Sequence, residues 1–304
     1  MKQMDSSKEN LFKQSSAAKR DKFGKFVTAI CAVIIIACVL IIFLFVAFKG
    51  SRLFFRDHVE FSRFLFGIKW QVAKDDYGAL PLLTGSILVS LVSLLLAAPL
   101  ALGVAIMLSE IISSTLAKWL KMILEILVGI PAVVYGLLGM LLVVPMLQIM
   151  IGGTGYGWLA AAMVLAIMIL PFLVALNLDA LADVPDRLRW AAAALGADRF
   201  QIWQTIIFPL AWPRLGTALI LAFAQSFGEA VAVQMVIGNA TLFPTGINSP
   251  AATLTSVITI GLGDAVDGSR ESNALWALAG LLLGISLLFD LIAHYLIGRR
   301  KNEV

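Results

Sequence analysis

The sequence contains few charged residues for its length. Only 14% of its 304 residues are charged and 60% are hydrophobic, whereas a soluble domain typically has about 25% charged residues. Long apolar runs dominate the chain, and a single soluble core cannot bury that much apolar surface. The shortage of charge excludes a water-soluble protein and predicts that lipid surrounds most of the chain.

The sequence is also poor in the residues that build catalytic and metal sites. It has two cysteines and two histidines. Cys31 and Cys38 lie seven residues apart in one apolar run, too far to bridge within a helix, and no Cys, Asp or Glu stands at metal-ligand spacing from His58 or His294. The chain lacks the G-x-x-x-x-G-K-[ST] loop of nucleotide hydrolases. We therefore predict a non-catalytic protein without a metal site.

Six apolar runs are each long enough to cross a hydrocarbon core of about 30 Å. The first is 23 residues long and lacks charge, which exceeds the roughly 7–15 residues of a signal-peptide core, so we expect it to be retained. The pattern predicts an all-α polytopic membrane protein with six transmembrane helices. We place these helices at residues 26–48, 82–109, 122–147, 156–178, 215–238 and 274–297.

The basic residues predict the orientation of the chain. If both termini are cytoplasmic, the cytoplasmic segments hold 16 Lys and Arg residues and the external segments hold seven. Cytoplasmic loops of membrane proteins carry an excess of basic residues, so we predict cytoplasmic termini. The basic clusters at the two ends are typical of contacts with anionic lipid, and no folded basic surface indicates nucleic-acid binding.

The runs and loops divide the chain into four parts. The external loop of residues 49–80 mixes aromatic and basic side chains, which favours a short helix at the membrane interface. A second external loop, residues 239–272, is rich in Gly, Thr, Ser and Pro. The four parts are a basic cytoplasmic segment (1–25), the first transmembrane helix with the external amphipathic loop (26–81), a five-helix core (82–297) that includes a cytoplasmic coupling loop (180–213), and a cytoplasmic tail (298–304).

The cytoplasmic loop has more organisation than a passive linker needs. A helix start at Pro185 is followed by four alanines at 191–194, by Gly196, and by an apolar stretch that ends at Pro209. Alanine has a high helix propensity and a small side chain, so that another protein can approach the helix closely. Glycine permits a turn that larger residues resist. The pattern predicts two short helices at an angle that fit a groove on another protein. An ordinary linker is the alternative.

This loop resembles the cytoplasmic signature of the permease subunits of ATP-binding-cassette importers, E-A-A-x-x-x-G-x9-I-x-L-P. The spacing matches throughout, with Trp190 in place of Glu and Phe208 in place of Leu. The resemblance implies a type I importer permease fold and a coupling helix that transmits closure of a partner ATPase to the membrane helices. The coupling residues that it implies are Arg189, Trp190, Ala191, Ala192, Gly196, Ile206 and Pro209.

Three further stretches resemble the phosphate importer permeases of the PstC/PstA type, and PstC more closely. They are residues 67–82, 124–136 and 228–239. The resemblance implies one half of a channel for inorganic phosphate in a bacterial inner membrane. It also implies three partners: a PstA-like second permease, a PstB-like ATPase dimer that binds the ATP, and a PstS-like periplasmic phosphate-binding protein. It implies no cofactor in this chain.

Pro131 lies inside the third predicted span, between Gly129 and Gly136. Proline removes a backbone donor and kinks a helix, and membranes tolerate such a break where it faces protein or a water-filled cavity. We predict that these three residues form a helix kink that gates the pathway. A static kink is the alternative.

Charged groups inside apolar spans are rare because each costs about 2.5–3.5 kcal/mol near mid-membrane. Glu229 falls in the body of the fifth predicted span and Glu125 in the inner part of the third. We predict a substrate pathway at Glu229, at Gln225 one helical turn earlier, and at Ser226. A helix–helix hydrogen bond that sets packing is the alternative. Phosphate permeases of the PstC type usually have Arg where this chain has Gln225, so a direct charge attraction for the anion is absent there.

The predicted function is therefore a permease subunit that couples ATPase closure to alternating access for phosphate. The first alternative is a permease for another oxyanion, such as molybdate, sulfate or a phosphonate. A proton-coupled secondary transporter that uses Glu229 is a second alternative. A membrane scaffold is a third, and the polar residues inside the spans argue against it.

Overall fold

The computed structural model describes residues 2–299, with the side chains of residue 21, residues 23–113 and residues 115–295. Most of the predicted tail at 298–304, and most side chains of the predicted segment at 1–25, lie outside this range. The described part is helical, apart from one two-stranded sheet. Its helices and strands, in chain order, are α1 (Lys2–Phe55), α2 (Phe61–Phe66), β1 (Trp70–Gln71), β2 (Asp76–Tyr77), α3 (Leu80–Ile106), α4 (Ser114–Val128), α5 (Ala132–Leu138), α6 (Val144–Ile151), α7 (Trp158–Ala182), α8 (Asp186–Ala194), α9 (Arg199–Ile202), α10 (Phe208–Phe227), α11 (Val231–Val236), α12 (Leu254–Asp264) and α13 (Arg270–Arg299).

Short turns of other helical types join several of these elements. A 3₁₀ turn, Val72–Lys74, separates the two strands, which pair antiparallel. Three π-helical turns continue neighbouring α-helices. They are Met107–Ile111 after α3, Gly139–Val143 between α5 and α6, and Trp203–Ile207 between α9 and α10.

Six helical stretches of the described chain are long and apolar enough to cross a membrane, which confirms the predicted number. Length and composition alone identify them. Four lie close to their predicted positions, while the third and the fifth begin and end elsewhere. The six stretches are Phe23–Phe55, Leu80–Ile111, Ala132–Ile151, Trp158–Ala182, Arg199–Phe227 and Arg270–Tyr295.

The predicted bounds of the third span are wrong. The sequence predicted one helix over 122–147, but α4 ends at Val128 and α5 begins at Ala132. Pro131 has no N–H and forces the preceding residue out of the helical region, so it caps α5 with an extended backbone (ψ 138°). Glu125 consequently lies on α4, outside the membrane-spanning stretch and exposed.

The predicted bounds of the fifth span are also wrong. The helical stretch begins much earlier, at Arg199, and ends at Phe227, whereas the sequence predicted residues 215–238. The chain leaves the helix at Gly228–Ala230 before the short helix α11. Glycine disfavours helix continuation because it loses the most backbone entropy. The loop predicted at 239–272 contains a further apolar helix, α12, whose start is closed by a capping box between Thr253 and Ser256.

The chain divides into two compact units, Met1–Phe48 and Lys49–Val304. In the first unit, the apolar side chains of residues 26–44 are exposed along a single helix. Exposed apolar side chains around a whole helix are typical of contact with lipid. The second unit contains the remaining helices and four clusters of buried side chains.

The centre of the second unit is the packing of α3 along α7. Ala97, Ala101 and Ala105 repeat every four residues along α3 and are completely buried. Ala160, Ala161 and Ala162 on α7 are equally buried. Small side chains let two helix backbones approach closely, which is how helices associate in a membrane. The helices α10, α11 and α12 pack on this pair, and α13 packs on α10 and α12.

Residues 49–80 fold into more than the predicted interfacial helix. The short helix is present as α2, and the hairpin of β1 and β2 follows it. Trp70 and Tyr77 face each other across the hairpin with ring centroids 5.4 Å apart. Burial and a hydrogen bond to Asp75 raise the pKa of Tyr77 to about 12. This segment is thus a small folded element with its own buried side chains.

Candidate functional site

Residues 186–209, called the coupling segment below after their predicted role, contain the short helix α8 and, after a turn, the start of the long helical stretch Arg199–Phe227. The predicted turn is present, but the second helix is not short, because α9 continues into α10. Pro185 caps α8 with an extended backbone. Gly196 ends this helix with φ +85°, a conformation that glycine adopts without steric cost. Asp198 then starts α9 with a capping box, in which its side chain accepts from the backbone of Gln201 (2.8 Å). Local backbone and capping preferences therefore account for the turn at Gly196.

The outer surface of the coupling segment exposes three large apolar side chains. Trp190 is 75% exposed, Leu195 is 90% exposed and Phe200 is 68% exposed. Ala191 and Pro209 are also exposed, while Ile206 is half-buried. A concentration of exposed apolar residues on a short helical segment is typical of a protein interaction site.

A cleft of about 780 Å³ opens beside this surface. Its walls come from the coupling segment and from the chain after α3. The cleft is lined by Glu110, Ile111, Ile112, Ser113, Arg189, Trp190, Ala193, Arg199, Ile202 and Ile207. The coupling segment is therefore not tightly packed against the end of α3 along its whole length.

Arg189 points into the molecule. Its guanidinium donates to the carboxylate of Glu110 (2.6 Å) and to the backbone carbonyl of Leu181 (3.1 Å). Glu110 lies in the π-helical turn after α3, and Leu181 in the last turn of α7. A second ion pair at this end joins Arg214 of α10 to Asp183, which follows α7. Arg189 was predicted among the residues that couple to the ATPase, and its two terminal nitrogens each donate a hydrogen bond within the chain.

Glu229 lies in the non-helical break between α10 and α11. Its carboxylate oxygen Oε1 accepts from the backbone N–H of Ala232 (3.2 Å), and its carbonyl accepts from the Thr255 hydroxyl (2.8 Å). The side chain is half-buried. The carboxylate caps the start of α11, and the carbonyl ties the break to α12.

The two predicted neighbours of Glu229 have different environments. Ser226 is buried, and its hydroxyl shares a hydrogen bond of 2.8 Å with that of Ser93 on α3. Gln225 is exposed. The helix ends at Phe227, so Gln225 and Glu229 do not lie on one continuous helix. The structure therefore places Ser226 in a helix–helix contact and Gln225 on the surface of the chain.

The predicted kink at Gly129–Gly136 is a complete interruption of the helix. Tyr135 donates from its hydroxyl to the carbonyl of Leu127 (2.9 Å), which bridges the interruption. A Cβ at Gly136 would lie 2.6 Å from Met235 Sδ and 3.1 Å from the Ala232 Cα. Gly136 is therefore the contact point between α5 and α11, the helix that follows Glu229. The two helix breaks are thus linked by packing.

No group of three or more His, Cys, Asp and Glu side chains that would suit a metal ion occurs among the described residues. The arrangement is instead that of a helical membrane protein with exposed apolar side chains on the coupling segment and two interrupted helices. Comparison with known families decides its class. Residues 97–302 match the family described as the binding-protein-dependent transport system inner membrane component.

The chain belongs to this permease family. It is 42% identical to a probable ABC transporter permease protein, YqgH, of Bacillus subtilis, over 91% of each chain. It is 32% identical to the phosphate transport system permease protein PstC of Mesorhizobium japonicum, over 78% of each chain. The probable PstC of Methanocaldococcus jannaschii is 30% identical over 76% of this chain and 79% of its own.

Solved structures support the same fold. The permease resembles a chain of the MetNI methionine ABC transporter in an inward-facing conformation, with a TM-score of 0.54 and 22% identity over 71% of this chain and 92% of that chain. It also resembles a chain of a bacterial ABC transporter that imports alginate, with a TM-score of 0.59 and 19% identity over 87% and 92%. These findings confirm the predicted importer permease fold and the predicted non-catalytic membrane subunit.

Sequence reasoning missed two residues of the permease that the structure brings into the site. Glu110 carries a charge at the end of an apolar run, which was a visible signal, but its partner Arg189 lies 79 residues later. Ser93 looked like an ordinary small residue of the second span, and its contact with Ser226 joins residues 133 positions apart. A single sequence contains no local pattern that reveals such pairs.

Proposed function

We propose that this permease forms half of the channel of a phosphate importer. The observation that carries the proposal is the similarity to phosphate permeases named PstC, at 26–32% identity over 73–97% of this chain. The stretches at 67–82, 124–136 and 228–239, which resemble this subfamily, all lie in or next to the helical core. A transporter that uses protons alone is disfavoured, because the permease family depends on a binding protein.

The proposed complex has four kinds of component. This chain pairs with a PstA-like permease, a PstB-like ATPase dimer docks beneath both, and a PstS-like periplasmic protein delivers phosphate. The ATPase binds and hydrolyses the ATP, and this chain needs no cofactor of its own. The exposed side chains of Trp190, Leu195 and Phe200 support an ATPase docking site on the coupling segment.

The proposed orientation places both termini and the coupling segment in the cytoplasm of a bacterium, with the chain in the inner membrane. The excess of basic residues in the segments assigned to the cytoplasm, 16 against seven, supports this orientation. The hairpin of residues 70–77 then faces the periplasm, where the binding protein docks. In this arrangement closure of the ATPase moves α8 and α9, and alternating access follows.

The proposed pathway passes the break at Gly228–Ala230. Interrupted helices supply polar backbone groups at membrane depth, and this occurs where the groups face protein or a cavity. Glu229 contributes a carboxyl group that hydrogen-bonds to the O–H of a partly protonated oxyanion, and Gln225 contributes an exposed amide. The interruption at Gly129–Pro131 packs against the same region through Gly136. Ser226 supports the pathway indirectly through its hydrogen bond to Ser93.

The replacement of the usual Arg by Gln225 favours a second candidate, a permease for another oxyanion. Gln carries no charge, although its amide still donates hydrogen bonds. Molybdate, sulfate and phosphonates share the oxyanion chemistry. The choice among these anions rests with the binding protein and with the residues that the paired permease contributes.

Uptake of radiolabelled phosphate by the complex in proteoliposomes tests the proposed function. We expect uptake into the vesicles that requires ATP inside, where the ATPase faces, and binding protein loaded with phosphate outside. Excess unlabelled phosphate should abolish the signal, whereas molybdate and sulfate should leave it unchanged. Absence of phosphate uptake, together with ATP-dependent uptake of labelled molybdate or sulfate by the same complex, would replace the proposed cargo with that anion.

Substitution of Glu229 tests the proposed pathway in the same assay. Glu229→Gln keeps an oxygen that accepts from Ala232 but replaces the second oxygen, an acceptor for the O–H of the anion, with an NH2 group that only donates. Complex yield should therefore be unchanged while uptake falls roughly tenfold. Glu125→Gln is the matched control, because Glu125 is exposed on α4. Equal uptake by E229Q and the wild type would show that Glu229 only caps α11.

A further inference from the structure

The ion pair between Glu110 and Arg189 lies where the coupling segment meets the two central helices. We infer that this pair is the positioning link that carries movement of α8 into α3 and α7. The inference rests on the proposed coupling role of residues 186–209. It assigns to Arg189 a role inside the permease, distinct from direct contact with the ATPase.

The geometry of Arg189 fixes it to both helices. One terminal nitrogen donates to Glu110 at 2.6 Å and the other donates to the Leu181 carbonyl at 3.1 Å. Glu110 ends the helical stretch of α3, and Leu181 lies in the last turn of α7. Because the guanidinium is planar, the two donors keep a fixed relative direction. One side chain therefore connects three helices.

The pair is partly shielded from water at the edge of the cleft. The side chains of Arg189 and Glu110 are 21% and 26% exposed, and a charge-assisted hydrogen bond at this distance is stronger than one between neutral groups. The nearest carboxylate on α8 itself, that of Asp186, is 3.8 Å from Arg189 Nε, and this nitrogen has no hydrogen-bond partner. The hydrogen bonds of Arg189 therefore go to α3 and α7, and its contact with its own helix is the longer ion pair with Asp186.

Few other contacts connect α8 to α3 and α7. Ala192 is the buried residue among the described side chains of α8, and the helix packs mainly against α9 and the π-helical turn at 203–207. Both of these belong to the coupling segment. The adjacent cleft of about 780 Å³ further limits direct packing between α8 and the end of α3. Only residues 183–185 separate α7 from α8 along the chain, so the charged pair is the side-chain contact that adds α3 to this covalent link.

The experiment compares three single substitutions in the assembled complex in proteoliposomes. Glu110→Gln removes the negative charge and keeps the shape of the side chain. Arg189→Lys keeps the positive charge but loses the planar group that donates to Glu110 and to the Leu181 carbonyl at the same time. Asp267→Asn is the control: it removes an ion pair of similar length, that with Lys49 (2.6 Å), near the start of α13 and far along the chain from the coupling segment. The measured quantities are complex yield, ATP hydrolysis and anion transported per ATP.

We expect E110Q to keep complex yield and ATP hydrolysis near wild type while the anion transported per ATP falls roughly fivefold or more. R189K should show a smaller fall in the same ratio, and D267N should show none. A purely structural role would lower yield, hydrolysis and transport together. That proportional loss, or an unchanged ratio in E110Q, would overturn the inference.

A second measurement does not depend on the cargo. Spin labels at Ser109→Cys and Ala194→Cys, with Cys31 and Cys38 replaced by alanine, report the distance between the end of α3 and α8. In the complex with wild-type Glu110, this distance should stay narrowly distributed with and without ATP, because the two elements move together. In E110Q the distribution should broaden or shift by several ångströms when ATP binds; no change would overturn the inference.

Results that contradict the proposed function differ from those that contradict this inference. If the wild-type complex hydrolyses ATP but takes up no phosphate, the proposed cargo is wrong, and the spin labels still decide the role of the pair. If the purified chain associates with no ATPase, the coupling role and this inference are both wrong.

Discussion

At the scale of single residues, Gly196 illustrates how backbone conformation limits substitution in the coupling segment. Its φ of +85° lies in the left-handed region, and a Cβ there would meet no atom within 4 Å. Glycine is therefore required at this position by the backbone conformation and not by steric contact with neighbouring atoms. Alanine in this conformation costs about 1–2 kcal/mol.

Replacing Gly196 by alanine should weaken assembly with the ATPase, because the turn between α8 and α9 becomes strained by about 1–2 kcal/mol. Gly196→Asn should be milder, since asparagine tolerates the left-handed region better. Gly216→Ala is the control, because Gly216 has ordinary helical backbone and open space in α10. Recovery of ATPase with the purified chain is the measurement. Equal recovery from G196A and G216A would contradict the argument.

At the scale of elements, the close approach of α3 to the loop before α12 depends on Gly85. A Cβ at this position would lie 2.2 Å from the carbonyl oxygen of Ala252. The obstacle is backbone, which cannot rotate away as a side chain does. Gly103 lies on the same helix with nothing within 4 Å. Comparing alanine substitutions at the two glycines therefore distinguishes the effect of packing from the effect of helix propensity.

Gly85→Ala should destabilise the detergent-solubilised protein by about 1–3 kcal/mol, because an overpacked contact must shift neighbouring backbone. Gly103→Ala should be neutral or stabilising by up to about 1 kcal/mol, since alanine favours the helix. Thermal unfolding of the two variants measures the difference. A stability of G85A that equals that of G103A would show that α12 can move away from α3 at little cost.

The hairpin of residues 70–77 provides a test that depends on pH. Burial, with the hydrogen bond to Asp75, raises the pKa of Tyr77 from 10.0 to about 12. A folded-state pKa above the unfolded value means that the stabilisation is complete below about pH 10 and is lost as the pH rises through 12. Neutral pH therefore leaves the hairpin intact.

Subtracting the ultraviolet titration of Tyr77→Phe from that of the wild type should give an ionisation near pH 12. Loss of hairpin structure should accompany this ionisation, because the phenolate cannot remain buried beside Asp75 without a large desolvation cost. A difference titration centred at pH 10 would show that Tyr77 is accessible to solvent and that the hairpin is open.

At the scale of the whole molecule, the permease has no nucleotide-binding loop in its sequence and belongs to a family of transport system membrane components. Its function therefore depends on an assembled complex. We expect the purified chain to hydrolyse no ATP, and the complex with its ATPase partner to hydrolyse ATP at a measurable rate. Phosphate release from ATP measures both. Hydrolysis by the isolated chain, after removal of co-purifying ATPase, would contradict the division of labour.

The sequence by itself determined the membrane class, the number of spans, the helix–turn–helix of the coupling segment and the resemblance to importer permeases. Those features depend on local composition and spacing. The length of each apolar run can be compared with the thickness of the bilayer, and Pro185, Gly196 and Asp198 are typical residues of helix ends. Four of the six spans were placed within a few residues for the same reason.

Only the tertiary structure decided where the third and fifth helices break, that α12 lies within a predicted loop, and which distant residues meet. Pro131 was compatible with a kink or a full interruption, and the structure shows a full interruption between Val128 and Ala132. The pairs Glu110–Arg189 and Ser93–Ser226 join residues that share no local pattern. Such contacts follow from how helices pack against one another, which local periodicity does not specify.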